Sequence, residues 1–419
     1  MILEDSVSDN RSLLNDRLHQ LIECAQKSPF WATRFGNVNP SSIENLEPIS
    51  KGEILADQAR YKPYGKIPSV DIRKLVRLHQ SSGTSGNPLV WADTASDWSR
   101  LLDQWDHLFG IAGILPADRF FFPFSFGPFL GFWSAFEAAT RAGKFCLAGG
   151  GMPSVSRLRF IEDHQISVLM TTPSYASHLA IVAADEKIDL VNGPVRLLIL
   201  AGEAGASMAA VKSRLESSWN ARVLDHHGMT EVGPVSMECP EAPCELHLLS
   251  DHYIIEALPA VGDFYGDLSA NKVKELVLTP LSRLGMPLVR YRTGDRVELV
   301  EGRCKCGRTG PRLIGGVLGR LDDMLIIRGN NVYPIAIEDW LWLQPGLIDF
   351  QAKIVESSGL SRLILNLEFR RGLNGEKEAV VISNKFFDRF LFRAEVKSVL
   401  PDELPKTEHK SKRWIRHCP

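Results

Sequence analysis

The sequence predicts an α/β protein with a large domain over residues 1–319 and a small, mobile α+β domain over residues 320–419. Residues 195–228 contain an apolar run, a glycine turn, a helix-spaced pattern and a second apolar run. This is the order of a strand–helix–strand unit in a parallel or mixed sheet with helical cover. Residues 166–170 predict one more buried strand. From about residue 320 charge becomes dense and the apolar runs shorten, which indicates a separate domain.

Other elements follow from the spacing of apolar side chains. Residues 11–35 and 95–110 carry them at helical intervals, so each range predicts a helix. Within the strand–helix–strand unit, Ser207 is placed to cap the helix, and residues 225–228 are expected to form the loop after the second strand. Residues 362–369 predict a strand of the small domain.

Composition excludes several classes of protein. A chain of 419 residues with 44% hydrophobic and 23% charged residues is typical of a globular protein with a large core. A net charge of −2 gives no overall attraction to nucleic acid or an anionic membrane. The apolar stretch 120–133 is too short and interrupted to span a bilayer, and no secretory signal is expected. Seven cysteines in so long a chain form no disulfide framework, which favours a reducing, cytoplasmic location.

The most informative segment is the loop at 81–88, directly after the apolar run 74–78. Ser, Thr and Gly fill this loop, so backbone N–H groups and hydroxyls face outward unobstructed, as a polyphosphate site requires. The residues concerned are Ser82, Gly83, Thr84, Ser85 and Gly86. The loop is not a Walker A loop, because no Lys-Ser/Thr pair follows the second glycine. Taken alone, it leaves a flexible turn open as the alternative.

Three later segments have related chemistry. Glu231 and Thr230 follow a predicted strand, and the carboxylate suits Mg²⁺ held against a phosphate. A tight turn capped by Thr230 is the alternative. Asp295 ends another apolar stretch, where it can accept hydrogen bonds from both hydroxyls of a ribose or pair with an arginine in a surface turn. The basic tail at 405–413 is, by itself, a solvated charge cluster.

Cysteine spacing suggests a metal site. Cys239, Cys304 and Cys306 together with His247 make a Cys₃His set, which suits a structural, tetrahedral Zn²⁺. Cys304 and Cys306 flank a single residue in a knuckle-like turn, and Cys244 is the spare candidate. Free thiols in loops are the alternative.

Taken in order, these segments resemble the adenylate-forming superfamily of acyl-CoA synthetases, adenylation domains and luciferases. The resemblance extends from about residue 20 to 416 and is strongest to the phenylacetate–CoA ligase branch. The segments that carry it are 81–86, Thr172-Pro173-Ser174-Tyr175, 226–231, 290–295, 319–334 and the basic tail. Some members of this branch have a similar Cys–His–Cys–Cys arrangement, which favours zinc.

The resemblance implies a reaction in two steps. A carboxylate attacks the α-phosphate of ATP, which gives an acyl-adenylate and pyrophosphate, and a thiol then displaces AMP. The implied cofactors are ATP, Mg²⁺ and coenzyme A or phosphopantetheine. The first step depends on neutralising phosphate charge and on in-line positioning more than on acid–base chemistry.

The resemblance also assigns roles at the nucleotide. Residues 82–86 would cradle the β- and γ-phosphates, and His227 would lie against the adenine, where the family usually has tyrosine. Thr230 and Glu231 would serve the α-phosphate and Mg²⁺, and Asp295 and Arg320 would hold the ribose. The remaining residues of the expected nucleotide site are Glu203, His226, Gly228 and Met229.

The basic tail matches the family's catalytic segment, with departures. Lys410 matches the lysine that bridges the carboxylate and α-phosphate oxygens, and Asp322 matches the hinge of the small domain. His409 replaces the usual glycine before that lysine, and Lys412 lies nearby. Lys410 is preferred because its spacing to Arg413 is that of the family's Lys-x-x-Arg. The glycine-rich loop also lacks the lysine that many relatives carry after its proline.

The acyl site is expected in a segment rich in phenylalanine. Eight of the 20 phenylalanines lie between residues 120 and 136, a region that lines the acyl site in the family together with the turn 201–203. Most of these rings are expected in the core, with Phe126 and Phe132 facing the acid. The other predicted lining residues are Tyr175, Ala201 and Gly202. A small aromatic acid is therefore expected, and not a long fatty acid, which needs a longer apolar tunnel.

Three functions stay open at this point. The first is an aryl-acid–CoA ligase, and the second is an adenylating enzyme that loads a carrier protein or another nucleophile. The third is a nucleotide-binding relative without catalysis, against which Glu231 and Lys410 argue because each has little use without adenylation. No nucleic acid or membrane partner is expected, and a homodimer is compatible with the sequence.

Overall fold

The computed structural model describes residues 2–36, 43–81, 88–259, 272–321, 323, 325–327, 330–357, 360–401, 403–404 and 413–417. The predicted phosphate loop 82–86, the hinge Asp322 and the lysine Lys410 lie outside these residues.

Helices begin where side chains satisfy free backbone N–H groups. The helices of the described residues are α1 (Ile2–Lys27), α2 (Pro29–Phe35), α3 (Lys51–Arg60), α4 (Ala95–Ala112), α5 (Leu130–Arg141), α6 (Ser154–Asp163), α7 (Pro173–Asp185), α8 (Ala209–Trp219), α9 (Pro334–Trp342) and α10 (Gly375–Phe390). The single helix predicted at 11–35 is two, because the Ser28 hydroxyl caps a new helix by accepting from the Trp31 N–H at 3.4 Å. The helix predicted at 95–110 is present, and Thr94 and Asp97 form a capping box at its start.

Most strands join one large mixed sheet. They are β1 (Leu75–Gln80), β2 (Val90–Thr94), β3 (Arg119–Phe122), β4 (Phe145–Ala148), β5 (Val168–Thr171), β6 (Leu197–Ala201), β7 (Arg222–Met229), β8 (Gly233–Cys239), β9 (Ala242–Leu248), β10 (Tyr253–Leu258), β11 (Val273–Pro280), β12 (Tyr291–Val300), β13 (Arg312–Arg320), β14 (Leu325–Ile327), β15 (Asn330–Val332), β16 (Leu347–Ser357), β17 (Leu360–Phe369), β18 (Glu395–Val399) and β19 (Trp414–His417). The large sheet has the order β10-β11-β12-β13-β9-β8-β7-β6-β5-β3-β4.

The large sheet is parallel in one half and antiparallel in the other. Strands β4, β3, β5, β6 and β7 are parallel neighbours, and pairing is antiparallel from β7 through to β10. Alternate side chains of the parallel strands enter two cores. Val168 and Met170 pack on the side of α4 and α5, whereas Leu169 packs on the side of α6, α7 and α8. The predicted α/β class, with a mixed sheet and helical cover, is confirmed.

Two local predictions in the strand–helix–strand unit are wrong. Residues 225–228 are not a loop, because β7 continues through them to Met229, where β8 pairs with it. Ser207 does not cap α8, whose N-cap is Met208 without a side-chain hydrogen bond. The Ser207 hydroxyl donates instead to the Asp225 carboxylate on β7. A buried tertiary partner thus outcompetes the local cap.

The C-terminal module, defined here as residues 334–417, has its own sheet and core. Its four strands have the order β18-β17-β16-β19. A separate hydrophobic cluster that includes Ile337, Phe350, Leu365 and Phe386 lies between this sheet and helices α9 and α10. The boundary at 319/320 stays a prediction. Among the described helices, none is both long and apolar enough to cross a membrane.

A buried ion pair joins two distant parts of the large sheet region. Arg283 donates to both carboxylate oxygens of Asp93 at 2.7 Å, and each side chain is 1% exposed. The same guanidinium donates to the backbone carbonyls of Thr230 at 2.6 Å and Glu231 at 3.1 Å. Asp93 belongs to β2, so the pair fixes the turn after β7 relative to that strand.

Candidate active site

Three predicted nucleotide ligands meet, two from the neighbouring strands β12 and β13 and one from β7. The register of β12 and β13 places Asp295 opposite Arg320, and the Arg320 Nη1 donates to Asp295 Oδ1 at 2.9 Å. His227 on β7 reaches the second oxygen, with Nε2 3.0 Å from Asp295 Oδ2. The other ring nitrogen of His227, Nδ1, is buried without a hydrogen-bond partner in the structure. The His227 Nδ1 is therefore available to form a hydrogen bond with a ligand.

Asp295 is kept ionised by its partners. Its side chain is almost fully buried, and burial alone raises the pKa of a carboxyl group. The hydrogen bond and charge of His227, the charge of Arg320 and the Thr293 hydroxyl outweigh that effect, so the pKa of Asp295 is lowered. An ionised carboxylate with fixed oxygens suits an acceptor of two ribose hydroxyl hydrogen bonds.

His226 points to the other side of β7, away from His227. Its Nδ1 lies 2.8 Å from the Ser236 carbonyl oxygen, and its ring centroid lies 4.5 Å from that of Trp105. Burial lowers the pKa of His226 to about 3, so the imidazole is neutral. The structure gives His226 a place in the core. Gly228 and Met229 end the strand, where a side chain at residue 228 would meet the Gly233 carbonyl oxygen at 2.9 Å.

Glu231 is buried beside the ammonium group of Lys51, a contact that the sequence pattern does not reveal. The Lys51 Nζ at the start of α3 lies 3.0 Å from Glu231 Oε1, and the Glu231 side chain is 4% exposed. Tyr291 contacts the same carboxylate through its hydroxyl, and burial followed by the charge of Glu231 raises the pKa of Tyr291 well above its usual value. Because the charges of Arg320 and Asp295 also act on Tyr291, this residue links the Glu231 group to that pair. Thr230 is half-buried beside Glu231.

The turn after β6 lies at the same edge of the sheet. Gly202 has φ of +92°, a conformation that favours glycine. The next residue, Glu203, accepts a hydrogen bond from the Ser174 N–H at 2.7 Å, which ties the turn to the start of α7. Ala201 is the last residue of β6. These side chains follow the carboxyl ends of parallel strands, where ligands of α/β sheets collect.

The phenylalanine segment contacts the end of β1. The Gln80 N–H donates to the Pro128 carbonyl at 2.7 Å, immediately before the glycine-rich loop begins in the sequence. Phe126 is half-buried among Phe136, at 5.2 Å between ring centroids, and Trp133, at 4.8 Å. Phe132 is half-buried against Phe124. Most of the remaining rings, Phe120, Phe121, Phe122 and Phe124, are in the core.

Tyr175, unlike the half-buried Phe126 and Phe132, is buried. It is 1% exposed, and its hydroxyl is engaged by Ser154 at 3.0 Å and by the buried guanidinium of Arg157. The structure therefore gives Tyr175 a role in the core between α6 and α7.

The four predicted zinc ligands converge at one place. Their donor atoms all lie within 4.8 Å of one another, with Cys239 and Cys304 Sγ 3.7 Å apart and Cys306 Sγ 3.4 Å from His247 Nε2. Tetrahedral zinc with ordinary bond lengths separates two sulfurs by about 3.8 Å and a sulfur and a nitrogen by about 3.6 Å. A disulfide is excluded by the Sγ distance, since bonded sulfurs lie about 2.05 Å apart. Cys244 donates its backbone N–H to Glu238 at 2.6 Å and is not part of the cluster.

Protonation at this cluster also suits a metal. Burial, and then the charges of Arg308 and Arg312, lower the pKa of His247 to about 4, so its ring is neutral and able to ligate. Burial, and then the neighbouring thiols of Cys306 and Cys304, raise the pKa of Cys239, and the backbone hydrogen bonds of Glu241 and Ala242 leave a thiolate there without full compensation. A divalent cation supplies that compensation. The donor set therefore fits Zn²⁺.

Two contributors to the site were missed from the sequence. Lys51 follows Ser50 and precedes Glu53, which form a capping box that the sequence displays, but nothing local points this lysine at Glu231. Arg283 and Asp93 lie 190 positions apart, so no local pattern connects them.

Comparison with known proteins supports the chemistry of this site. The chain is 32% identical over 318 residues to the phenylacetate-coenzyme A ligase of Pseudomonas putida, covering 74% of this chain and 70% of the relative. It is 29% identical over 411 residues to the phenylacetate-coenzyme A ligase of Thermus thermophilus, covering 96% and 86%. A family model described as AMP-binding enzyme C-terminal domain matches residues 329–417.

A solved structure has the same architecture in one of its states. The 2-hydroxyisobutyryl-CoA ligase in the postadenylation state with 2-HIB-AMP matches with a TM-score of 0.88, 26% identity and coverage of 98% of this chain and 90% of that chain. The same ligase in the thioesterification state matches with a TM-score of 0.69 at equal coverage. The chain belongs to the phenylacetate–CoA ligase family of AMP-forming acid–thiol ligases.

Proposed function

We propose that this enzyme activates a small aromatic carboxylic acid as an acyl-adenylate and transfers the acyl group to coenzyme A. The observation that carries the proposal is the set of charged partners at the carboxyl edge of the sheet, Asp295 with Arg320 and His227, and Glu231 with Lys51. Family membership adds the reaction class, and the half-buried rings next to the end of β1 support the aromatic acid.

The nucleotide is held by groups that are already in place. In this proposal Asp295 and Arg320 bind the ribose, and His227 provides a flat ring at the adenine, as the family's tyrosine does. Residues 82–86 bind the β- and γ-phosphates. Glu231 and Thr230 would hold Mg²⁺, which supplies positive charge to the phosphates. Glu203, His226, Gly228 and Met229 then support the site mainly through the backbone and the core.

Lys51 supplies a cation that the glycine-rich loop lacks. No lysine follows the proline of that loop, whereas the Lys51 ammonium lies 3.0 Å from Glu231. With Mg²⁺ held at Glu231, the Lys51 ammonium would be available to neutralise a phosphate oxygen of ATP. Positive charge placed where negative charge develops lowers the barrier of phosphoryl chemistry.

The two steps use different parts of the chain. In the first, a carboxylate oxygen of the acid forms a bond to the α-phosphorus, and the bond to the β-phosphate bridging oxygen breaks, which releases pyrophosphate. Lys410 stabilises the charge on the carboxylate and α-phosphate oxygens. In the second, the thiol sulfur attacks the acyl carbon and AMP leaves with the bonding electrons. The C-terminal module would turn about Asp322 between the steps, with the domain boundary at 319/320.

An aromatic acid is preferred to other acids on two grounds. The first two relatives above are phenylacetate-coenzyme A ligases, and Phe126 and Phe132 are among the half-buried rings of the aromatic segment, with Phe129 and Phe136. The 2-hydroxyisobutyryl-CoA ligase makes a small branched hydroxy acid the competing candidate. A carrier-protein phosphopantetheine remains the alternative acceptor, and a homodimer remains a prediction.

Zinc belongs to the proposal as a structural element. Cys239 ends β8 and His247 lies in β9, while Cys304 and Cys306 lie in the connection between β12 and β13. An ion at this point ties both hairpins together and takes no part in the reaction.

We expect wild-type enzyme to release pyrophosphate fastest with arylacetic or benzoic acids. Phe126→Ala should raise the KM for the aromatic acid by about tenfold to a hundredfold, because contact with a buried ring is lost. Phe387→Ala, at an exposed ring of the C-terminal module, is the matched control and should leave KM unchanged. A pyrophosphate-release assay over aromatic acids, octanoate and 2-hydroxyisobutyrate, with and without coenzyme A, measures this. Equal turnover of octanoate and benzoate would place these rings in the core.

Lys410→Ala should slow adenylate formation by about 10²–10³-fold, since one stabilising charge is removed from the first transition state only. Thioester formation from supplied acyl-adenylate and coenzyme A should stay close to the wild-type rate. Lys412→Ala is the control. Normal pyrophosphate release by the Lys410 variant would move the catalytic role elsewhere in the tail.

Lys51→Met should raise the KM for MgATP by about tenfold to a hundredfold, the loss expected for a charge-assisted contact. The KM for the carboxylic acid should change little, and Lys377→Met, on the exposed face of α10, should change neither. Steady-state kinetics with varied MgATP give the result. An unaltered KM for MgATP in the Lys51 variant would limit this lysine to a structural contact with Glu231.

Protein purified without chelator should contain about one zinc ion per chain, as a closed structural site requires. Cys304→Ser should lower both the zinc content and the melting temperature, because the metal stabilises the folded state, while Cys24→Ser should do neither. Elemental analysis and thermal unfolding measure the two effects. Absence of zinc in the untreated protein would contradict the zinc site and leave the four side chains as free thiols and a free imidazole.

A further inference from the structure

Trp342 connects the C-terminal module to the core of the large sheet. It is the last residue of α9, and its ring packs against both the cluster beneath α6, α7 and α8 and the cluster of the module itself. Two guanidinium groups contact this ring, with the Cζ atoms of Arg214 and Arg413 each 5.1 Å from the centroid. Arg214 comes from α8 and Arg413 from the C-terminal tail. One indole therefore joins charged side chains from both parts of the chain.

Arg214 makes a second contact across the same junction. Its Nη2 donates to the backbone carbonyl of Leu347, the first residue of β16. The guanidinium is thus bound to the module both through the ring of Trp342 and through the main chain. Burial, and then the charges of Arg370 and Arg413, lower the pKa of Arg214. The carboxylate of Asp349 acts in the opposite direction, so charges of both signs meet at this contact.

Arg413 is held at the end of the predicted catalytic tail. Its Nε donates to Asp349 Oδ1 at 3.1 Å, and its carbonyl accepts from the Ala352 N–H at 2.7 Å. Burial opposes its charge, but the carboxylates of Asp349, Glu203 and Glu338 outweigh burial and raise the pKa of Arg413. Glu203 belongs to the turn after β6 and Glu338 to α9, so Arg413 faces acidic groups from both sides of the junction.

We propose that Arg214, Trp342 and Arg413 form a latch that seats the C-terminal module on the large sheet for adenylation, with Arg413 as the positioning residue for Lys410. The inference rests on the proposed function, in which Lys410 acts in the first step three residues before Arg413. The higher similarity to the postadenylation state than to the thioesterification state of the 2-hydroxyisobutyryl-CoA ligase supports this assignment. Turning the module for the second step separates Arg214 from Trp342.

The test measures the two half-reactions separately on the full chain. Arg214→Gln, Trp342→Leu and Arg413→Gln should each slow pyrophosphate release without coenzyme A by about 3- to 30-fold, the range of a partly to fully desolvated cation–π contact. Thioester formation from supplied acyl-adenylate and coenzyme A should be unchanged or faster. The double variant of Arg214 and Trp342 should be no slower than the slower single variant, because both act through one contact.

Arg60→Gln is the matched control, since Arg60 is exposed and its Cζ lies 5.3 Å from the Tyr61 ring within one part of the chain. It should leave both half-reactions unchanged. Equal slowing of both half-reactions by the latch variants, or no effect on either, overturns the proposal.

Hydrogen exchange distinguishes failure of the latch from failure of the proposed function. Amides of residues 334–342 should exchange faster in Arg214→Gln than in wild type or Arg60→Gln, whatever acid the enzyme uses. If wild type releases no pyrophosphate with any acid, the proposed function fails and this readout alone decides the latch. Unchanged protection of residues 334–342 in Arg214→Gln overturns it.

Discussion

The buried pair between Arg283 and Asp93 is the contact on which the candidate active site depends. It joins β2, which leaves the glycine-rich loop, to the carbonyls of Thr230 and Glu231 at the end of β7. Removing one partner of such a pair strands a charge in the interior and typically costs about 3–5 kcal/mol. The pair therefore does more than stabilise the fold, since it sets the position of the turn after β7 relative to β2.

Around that pair the site is built from carboxylates that already have partners. Asp295 is held between His227 and Arg320, and Glu231 between Lys51 and Tyr291. Groups that are oriented before the substrate arrives need no reorganisation during the reaction, which is the main way in which proteins stabilise charged transition states. The same partners also compensate the burial of two acids at the edge of a sheet, which explains how the fold tolerates them.

Sequence patterns identified the fold class, the motif residues and the four members of the Cys–His cluster, because each is encoded by local spacing or by a motif. Patterns did not predict which side chains meet across long distances in the chain. Ser207 has the composition and place of a cap, yet Asp225 takes its hydroxyl. His226 and His227 are neighbours in sequence, but the strand directs them to opposite faces. The contact of Lys51 with Glu231 depends on how α3 packs, and no short-range signal records that packing.

The antiparallel ribbon formed by β12 and β13 restricts where the gene can gain or lose codons. Asp295 and Arg320 face each other within the ribbon, while Cys304 and Cys306 occupy the connection beyond its ends. A deletion of one codon within either strand reverses the facing of every side chain beyond it, and it would separate Asp295 from Arg320 and shift the two sulfurs together. Insertions and deletions in this family should therefore be absent from the two strands and concentrated in other connections, whereas single-base substitutions at their outward positions are tolerated.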